Sequence, residues 1–169
     1  MDSVWQALLD HFQERAAYFQ LFDRHRMRPD AWLKVEVLEV ISELTRSTVR
    51  DVRPDRQGCD VWFSTAGGEY WLAVKGVITS YAGAPPGARP TLVSVEEVAR
   101  EMDKLRGLSM LSGGKAALLL AALPMGAHPR ERDEWQNQML RFEAKRFELA
   151  GSRTIELRAD REAHVYLFV

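Results

Sequence analysis

Two runs decide how this chain is read: Cys59-Asp60-Val61-Trp62-Phe63 and Glu69-Tyr70-Trp71-Leu72-Ala73-Val74-Lys75-Gly76. Each is short, rich in aromatic and β-branched residues, and bounded by turn formers, which predicts two strands. Ser64-Thr65-Ala66-Gly67-Gly68 joins them, with glycines where a tight hairpin turn needs them. An acid, Asp60, opens the first run and a lysine, Lys75, closes the second. Side chains alternate faces along a strand, so Ala73 and Lys75 point the same way.

Outward from the hairpin, Ser47 to Arg53 predicts a preceding strand, stopped by Pro54 and the turn-rich Asp55-Arg56-Gln57-Gly58. Before it, Pro29 to Leu44 predicts a helix with Leu33, Val37, Val40, Ile41 and Leu44 on one arc and Glu36 at its border. Ser3 to Phe22 predicts an N-terminal helix, and Asp23-Arg24-His25-Arg26 a polar linker. After the hairpin, Tyr81 to Pro90 has the composition of a long loop. Ser94-Val95-Glu96-Glu97 reads as a capping box opening a helix to about Ser109. Lys115 to Leu123 is the most apolar run and predicts a strand buried on both faces. Pro129 to about Ala150 predicts a helix with Gly151 as its C′ glycine. Thr154–Leu157 and His164–Val169 close the chain as a hairpin around Ala159-Asp160-Arg161-Glu162.

The length of 169 residues and 46% apolar content suit one domain, 1–169, with a proper core. With 23 basic and 24 acidic residues the chain does not coat nucleic acid by charge alone, though a local groove can still be basic. One cysteine excludes an internal disulfide and suggests a reducing compartment. No apolar run approaches membrane-spanning length and the start lacks a basic leader, so the expectation is a cytoplasmic protein with no membrane contact.

The α-β-β-β-α-β run from Trp32 to Leu123, with Glu36 on the helix, Asp60 at the second strand and Lys75 on the third, resembles the restriction-endonuclease-like PD-(D/E)XK nuclease superfamily and looks like a small bacterial branch of it. The resemblance covers a little over half the chain, a core of about 30–123. It implies an α/β fold with a mixed sheet flanked by helices, plus an extra N-terminal helix and a C-terminal helix and β-hairpin. It also implies a metal-dependent endonuclease or exonuclease, with DNA as substrate and magnesium (or manganese) as cofactor. In that family picture Asp60 is the central metal ligand, Glu36 contributes from the helix, and the Val74 backbone carbonyl adds a neutral oxygen. Lys75 would orient water or stabilise developing charge.

The departure is Ala73, which stands where the second carboxylate belongs and carries no ligand atom. It is an engineered inactivation, a natural loss leaving a nucleic-acid- or protein-binding module, or a sign that another acid has taken over. Glu69 shares the strand parity but lies roughly 13 Å away along the strand, which leaves Glu36 or Glu43 as the better donor. As written, the chain is expected to hydrolyse nucleic acid weakly or not at all. Arg50, Arg53 and Arg56, together with the Tyr81–Pro90 loop, are the expected grip on DNA. Cutting both strands of a duplex with one site per chain takes two chains, so a homodimer is a further expectation.

Other motifs carry less. Ser112-Gly113-Gly114-Lys115-Ala116 fails as a phosphate loop, because Ala116 replaces the required Ser or Thr and the segment precedes a strand. His11, His25, His128 and His164 lack zinc-ligand spacing. Cys59 reads as a small buried apolar residue, and Trp62 and Trp71 as sheet core.

Overall fold

A computed structural model describes residues 3–79, 90–125, 129–143, 145, 147–158 and 160–169. Most of the expected Tyr81–Pro90 loop, and His128, lie outside the described residues. The order is α1 (Ser3–Glu14), α2 (Ala16–His25), α3 (Asp30–Glu43), β1 (Val49–Pro54), β2 (Val61–Thr65), β3 (Gly68–Ile78), α4 (Pro90–Ser112), β4 (Lys115–Met125), α5 (Pro129–Glu143), β5 (Leu149–Arg158) and β6 (Arg161–Phe168). The strands form one mixed sheet in the order β1-β2-β3-β4-β6-β5. Only β3 and β4 run parallel, and every other neighbouring pair is antiparallel.

The sheet is covered on both faces, so β4 reads as the continuous apolar run expected of a central strand. Leu119 and Leu123 pack with Val4, Leu8, Phe12, Leu33 and Ile41 on the side of α1–α3. Leu118 and Leu120 pack with Val98, Met102, Leu105, Trp135 and Phe142 on the side of α4 and α5. The alternation along β3 follows the same split. Leu72 and Val74 belong to the first layer, Trp71, Ala73 and Val77 to the second.

Several expected boundaries move, each for a local reason. The expected first helix breaks at Arg15, whose backbone leaves helical geometry (φ −95°, ψ 21°). No glycine or proline marks that break. Beyond it the expected Asp23–Arg26 linker is helical through His25, because Phe19 and Asp23 are buried on α2. The helix before β4 starts at Pro90, well suited to a first helical turn, so Ser94 lies inside α4 and is no cap. β4 continues through Pro124 to Met125. α5 ends at Glu143, so Gly151 lies within β5 and is no helix terminus. The chain leaves the helix early to bury Phe147 and to pair Glu148 with Val169 in both directions at 2.9 Å. Among the described residues no helix is long and apolar enough to cross a membrane.

Candidate functional site

The geometry of the site follows from a mismatch in strand length. β2 pairs with β3 only over Gly68–Leu72, while β3 runs on to Ile78. Past Leu72 the edge that faced β2 has no strand beside it among the described residues, and its backbone groups need other partners. Asp60, just before β2, supplies one: its Oδ2 accepts from Val74 N at 2.8 Å. Asp30, in the first turn of α3, supplies the next, with Oδ1 accepting from Gly76 N at 3.2 Å. Arg28 completes the edge by donating from Nη2 to the Gly76 carbonyl at 3.3 Å. Side chains here do the work of a missing strand.

The second oxygen of Asp60 is also engaged. Lys34, projecting from α3, places its Nζ 2.6 Å from Asp60 Oδ1, and the Asp60 side chain is only 11% exposed. The Asp60 hydrogen bond holds the Lys34 ammonium above its ordinary value, against the opposing effect of burial. Burial, reinforced by the charge of Asp60, pushes the neighbouring Cys59 thiol up to about 11, so it stays protonated and unreactive at neutral pH.

Lys75 pairs elsewhere. By strand alternation it faces α4, where Glu101 Oε2 lies 3.7 Å from its Nζ. Glu101 Oε1 is held at 2.9 Å by Lys104, which also donates to the Gly58 carbonyl. Glu101 is therefore the carboxylate that meets Lys75, arriving from a helix where Ala73 offers none. Ala73 itself is fully buried, in the apolar layer that packs on α4. A cavity of about 290 Å³ opens beside this group, lined by Arg28, Lys75, Glu97, Arg100 and Glu101. Arg28 spans it, donating to Glu97 Oε2 at 3.0 Å.

Glu36 is not part of this arrangement. Its Oε2 lies 2.5 Å from His11 Nε2 and 3.0 Å from Arg15 Nε, both on the N-terminal helical arm. The expected convergence of Glu36 with Asp60 and Lys75 does not occur, because α1 covers the helix face that carries Glu36. Asp60 and Lys75 make no direct ion pair with each other; each has another partner.

These residues do not fit a magnesium ion. Mg²⁺ takes several hard oxygen ligands in near-octahedral geometry. Here Asp60 has both oxygens engaged, Glu36 is held by α1, and position 73 is apolar. Strand geometry does direct the Val74 carbonyl towards the Asp60 edge. Even so, among the described residues no three of His, Cys, Asp and Glu come together to hold a metal.

The expected DNA-gripping arginines separate. Arg56 stacks on Trp62, its guanidinium carbon 4.0 Å from the ring centroid, and Arg53 lies 5.8 Å from the same ring while pairing with Asp51 at 2.9 Å. Trp62 is buried beneath them, so it is not open to a base. Arg50 sits apart, exposed at the irregularity in the β1–β2 register between Val49 and Asp51.

Glu101, Lys34, Asp30 and Arg28 were not singled out by sequence reasoning. Two of them carried a signal. Unrolled at about 100° per residue, Asp30 falls within the apolar arc of α3 and Lys34 about 20° from Ile41. A charge on a buried arc needs a partner. Compared with protein-family models, curated proteins and solved structures, the chain matches none.

Proposed function

We propose that this chain is an endonuclease-like domain that, as written, binds nucleic acid without hydrolysing it. The fold supports the reading at the level of order: α3, β1, β2, β3, α4 and β4 follow the α-β-β-β-α-β sequence that the resemblance implies, with β3 parallel to β4 across α4. One observation carries the loss of hydrolysis. Asp60, the acid a metal-dependent nuclease would rely on, is neutralised by Lys34 at 2.6 Å and tied to the Val74 amide at 2.8 Å. Ala73 beside it is sealed in the core. Of the two readings open at the sequence, a weakened magnesium nuclease and a module that kept the scaffold, this favours the module.

Binding rests on charge. Arg50 and Arg53 are exposed on the edge strand β1 and can meet phosphates without disturbing the core. Fluorescence anisotropy with short single- and double-stranded DNA tests this. The expected result is binding that needs no divalent metal, weakens steeply with salt and falls in Arg50→Ala/Arg53→Ala. Absence of salt-sensitive binding overturns it. A protein partner is the second reading, favoured by Met110 and Leu111, 80% and 88% exposed at the end of α4.

A further inference from the structure

A second charged site, sharing no lining residue with the Lys75–Glu101 cavity, lies where the parallel strands β3 and β4 end. Ile78, the last residue of β3, and Pro124, next to the last of β4, border a cavity of about 320 Å³. Crevices at the carboxyl ends of parallel strands are a recurrent place for ligands in α/β sheets. Four arginines line this one: Arg24 and Arg26 from the end of α2, Arg158 from the end of β5, and Arg161 from the start of β6. Among the described residues the only acid lining it is Asp23.

Asp23 organises half of the site. Its side chain is 1% exposed; Oδ2 accepts from Arg158 Nη2 at 2.7 Å, and Oδ1 lies 3.0 Å from Arg161 Nη1 without the alignment of a hydrogen bond. A buried carboxylate thus fixes two guanidinium groups at the wall and cancels one of their charges. Arg24 and Arg26 are exposed and make no ion pair with any described residue. Over the described lining residues the cavity therefore carries a formal surplus of three positive charges. Arg26 is also held at φ 53°, in the left-handed region that a helix C-terminus ordinarily gives to glycine. An arginine kept at a glycine position is backbone strain coinciding with a charged pocket.

We propose that this pocket is a phosphate-binding site, taking a phosphate group that is either free or carried on a nucleic-acid end. Guanidinium forks match phosphate oxygens in pairs, and several acceptor oxygens on one small dianion suit fixed and free arginines together. A simple carboxylate would leave most of the surplus charge unmet. The chemistry is independent of Asp60 and its partners: phosphate binds here whether or not the domain holds DNA.

The test is isothermal titration of the full chain with inorganic phosphate at low salt. In parallel, anisotropy compares a short oligothymidylate with and without a 5′ phosphate. Arg24→Gln/Arg26→Asn removes the two free guanidinium groups, leaves the Asp23 pairs intact and puts at position 26 a residue that tolerates positive φ. Saturable phosphate binding that this variant weakens about tenfold or more, with an unchanged melting temperature, is the expected result. Asp23→Asn, where it folds, should bind phosphate more tightly, since the pocket loses its one negative charge. Preference for the phosphorylated oligonucleotide identifies a nucleic-acid end as the source; phosphate binding without that preference identifies the free ion. No saturable phosphate binding, binding unchanged in the double arginine variant, or equal displacement by chloride at matched ionic strength overturns the assignment.

Discussion

Removing the Asp60 carboxylate should destabilise this protein, and that separates a structural acid from a catalytic one. Asp60→Ala leaves the Val74 N–H without an acceptor beside a buried strand, a loss of about 1–3 kcal/mol. It also removes the partner of Lys34. Because the Lys34 side chain is 40% exposed, that pair adds under about 1 kcal/mol. The sum is about 1–4 kcal/mol. For a chain of this size it lowers the melting temperature by roughly 2–16 °C. Asp60→Asn keeps an oxygen for Val74 and loses only the charge, so its cost is about 1 kcal/mol. Lys34→Met keeps the apolar stem and costs under about 1 kcal/mol. Urea unfolding of the three variants measures all of this on one scale. A carboxylate held ready for a metal, without such partners, behaves oppositely, since functional acids are commonly stabilising to remove. An Asp60→Ala protein as stable as its parent, or more stable, would refute the structural role.

Two further outcomes follow from neighbouring features. Burial pushes the Glu36 carboxyl up, but the hydrogen bonds from Arg15 and His11 outweigh it and leave it below its ordinary value. Its stabilisation is therefore complete above the unfolded value of about 4.3 and is lost as pH falls through the folded one. Glu36→Gln should cost about 1 kcal/mol at pH 7 and flatten the fall in urea midpoint between neutral and acid pH; parallel pH curves for the two proteins would contradict this. Gly76→Ala places a Cβ 2.7 Å from Pro29 Cδ and 3.0 Å from Asp30 Oδ2. It should cost about 1–3 kcal/mol by pushing α3 off the β3 edge, and an unchanged melting temperature would show that α3 does not rest there.

Much of the fold was legible because the residues that made it so are locally consistent. The β4 run, the β2–β3 hairpin and the α3 arc each announce themselves through period and turn chemistry, and each stands within a few residues of its reading. The break at Arg15 was not legible, since no breaker marks it and packing alone decides it. The capping-box pattern at Ser94 misled because Pro90 offers an earlier start. The site divides the same way. Asp60 and Lys75 lie on adjacent elements as their spacing suggested, but their partners come from α3 and α4, and Lys34 and Glu101 are ordinary helix charges until the chain is folded. Glu36 shows the limit most plainly: a border position on a helix tells that a side chain is half-covered, not which neighbour covers it.

Hydrolysis itself is the most direct measurement: Mg²⁺- and Mn²⁺-dependent cleavage of plasmid and single-stranded DNA by the chain as written and by Ala73→Glu, each with and without Asp60→Ala. The account predicts no metal-dependent cleavage by the chain as written, because the Asp60 carboxylate is bound to Lys34 and Val74 and position 73 is apolar. Cleavage that appears only in Ala73→Glu and disappears with Asp60→Ala would place the loss of activity at position 73. Metal-dependent cleavage by the unmodified chain, abolished by Asp60→Ala, would contradict the account, and its loss in Glu101→Gln as well would make Glu101 the acid that serves in place of Ala73.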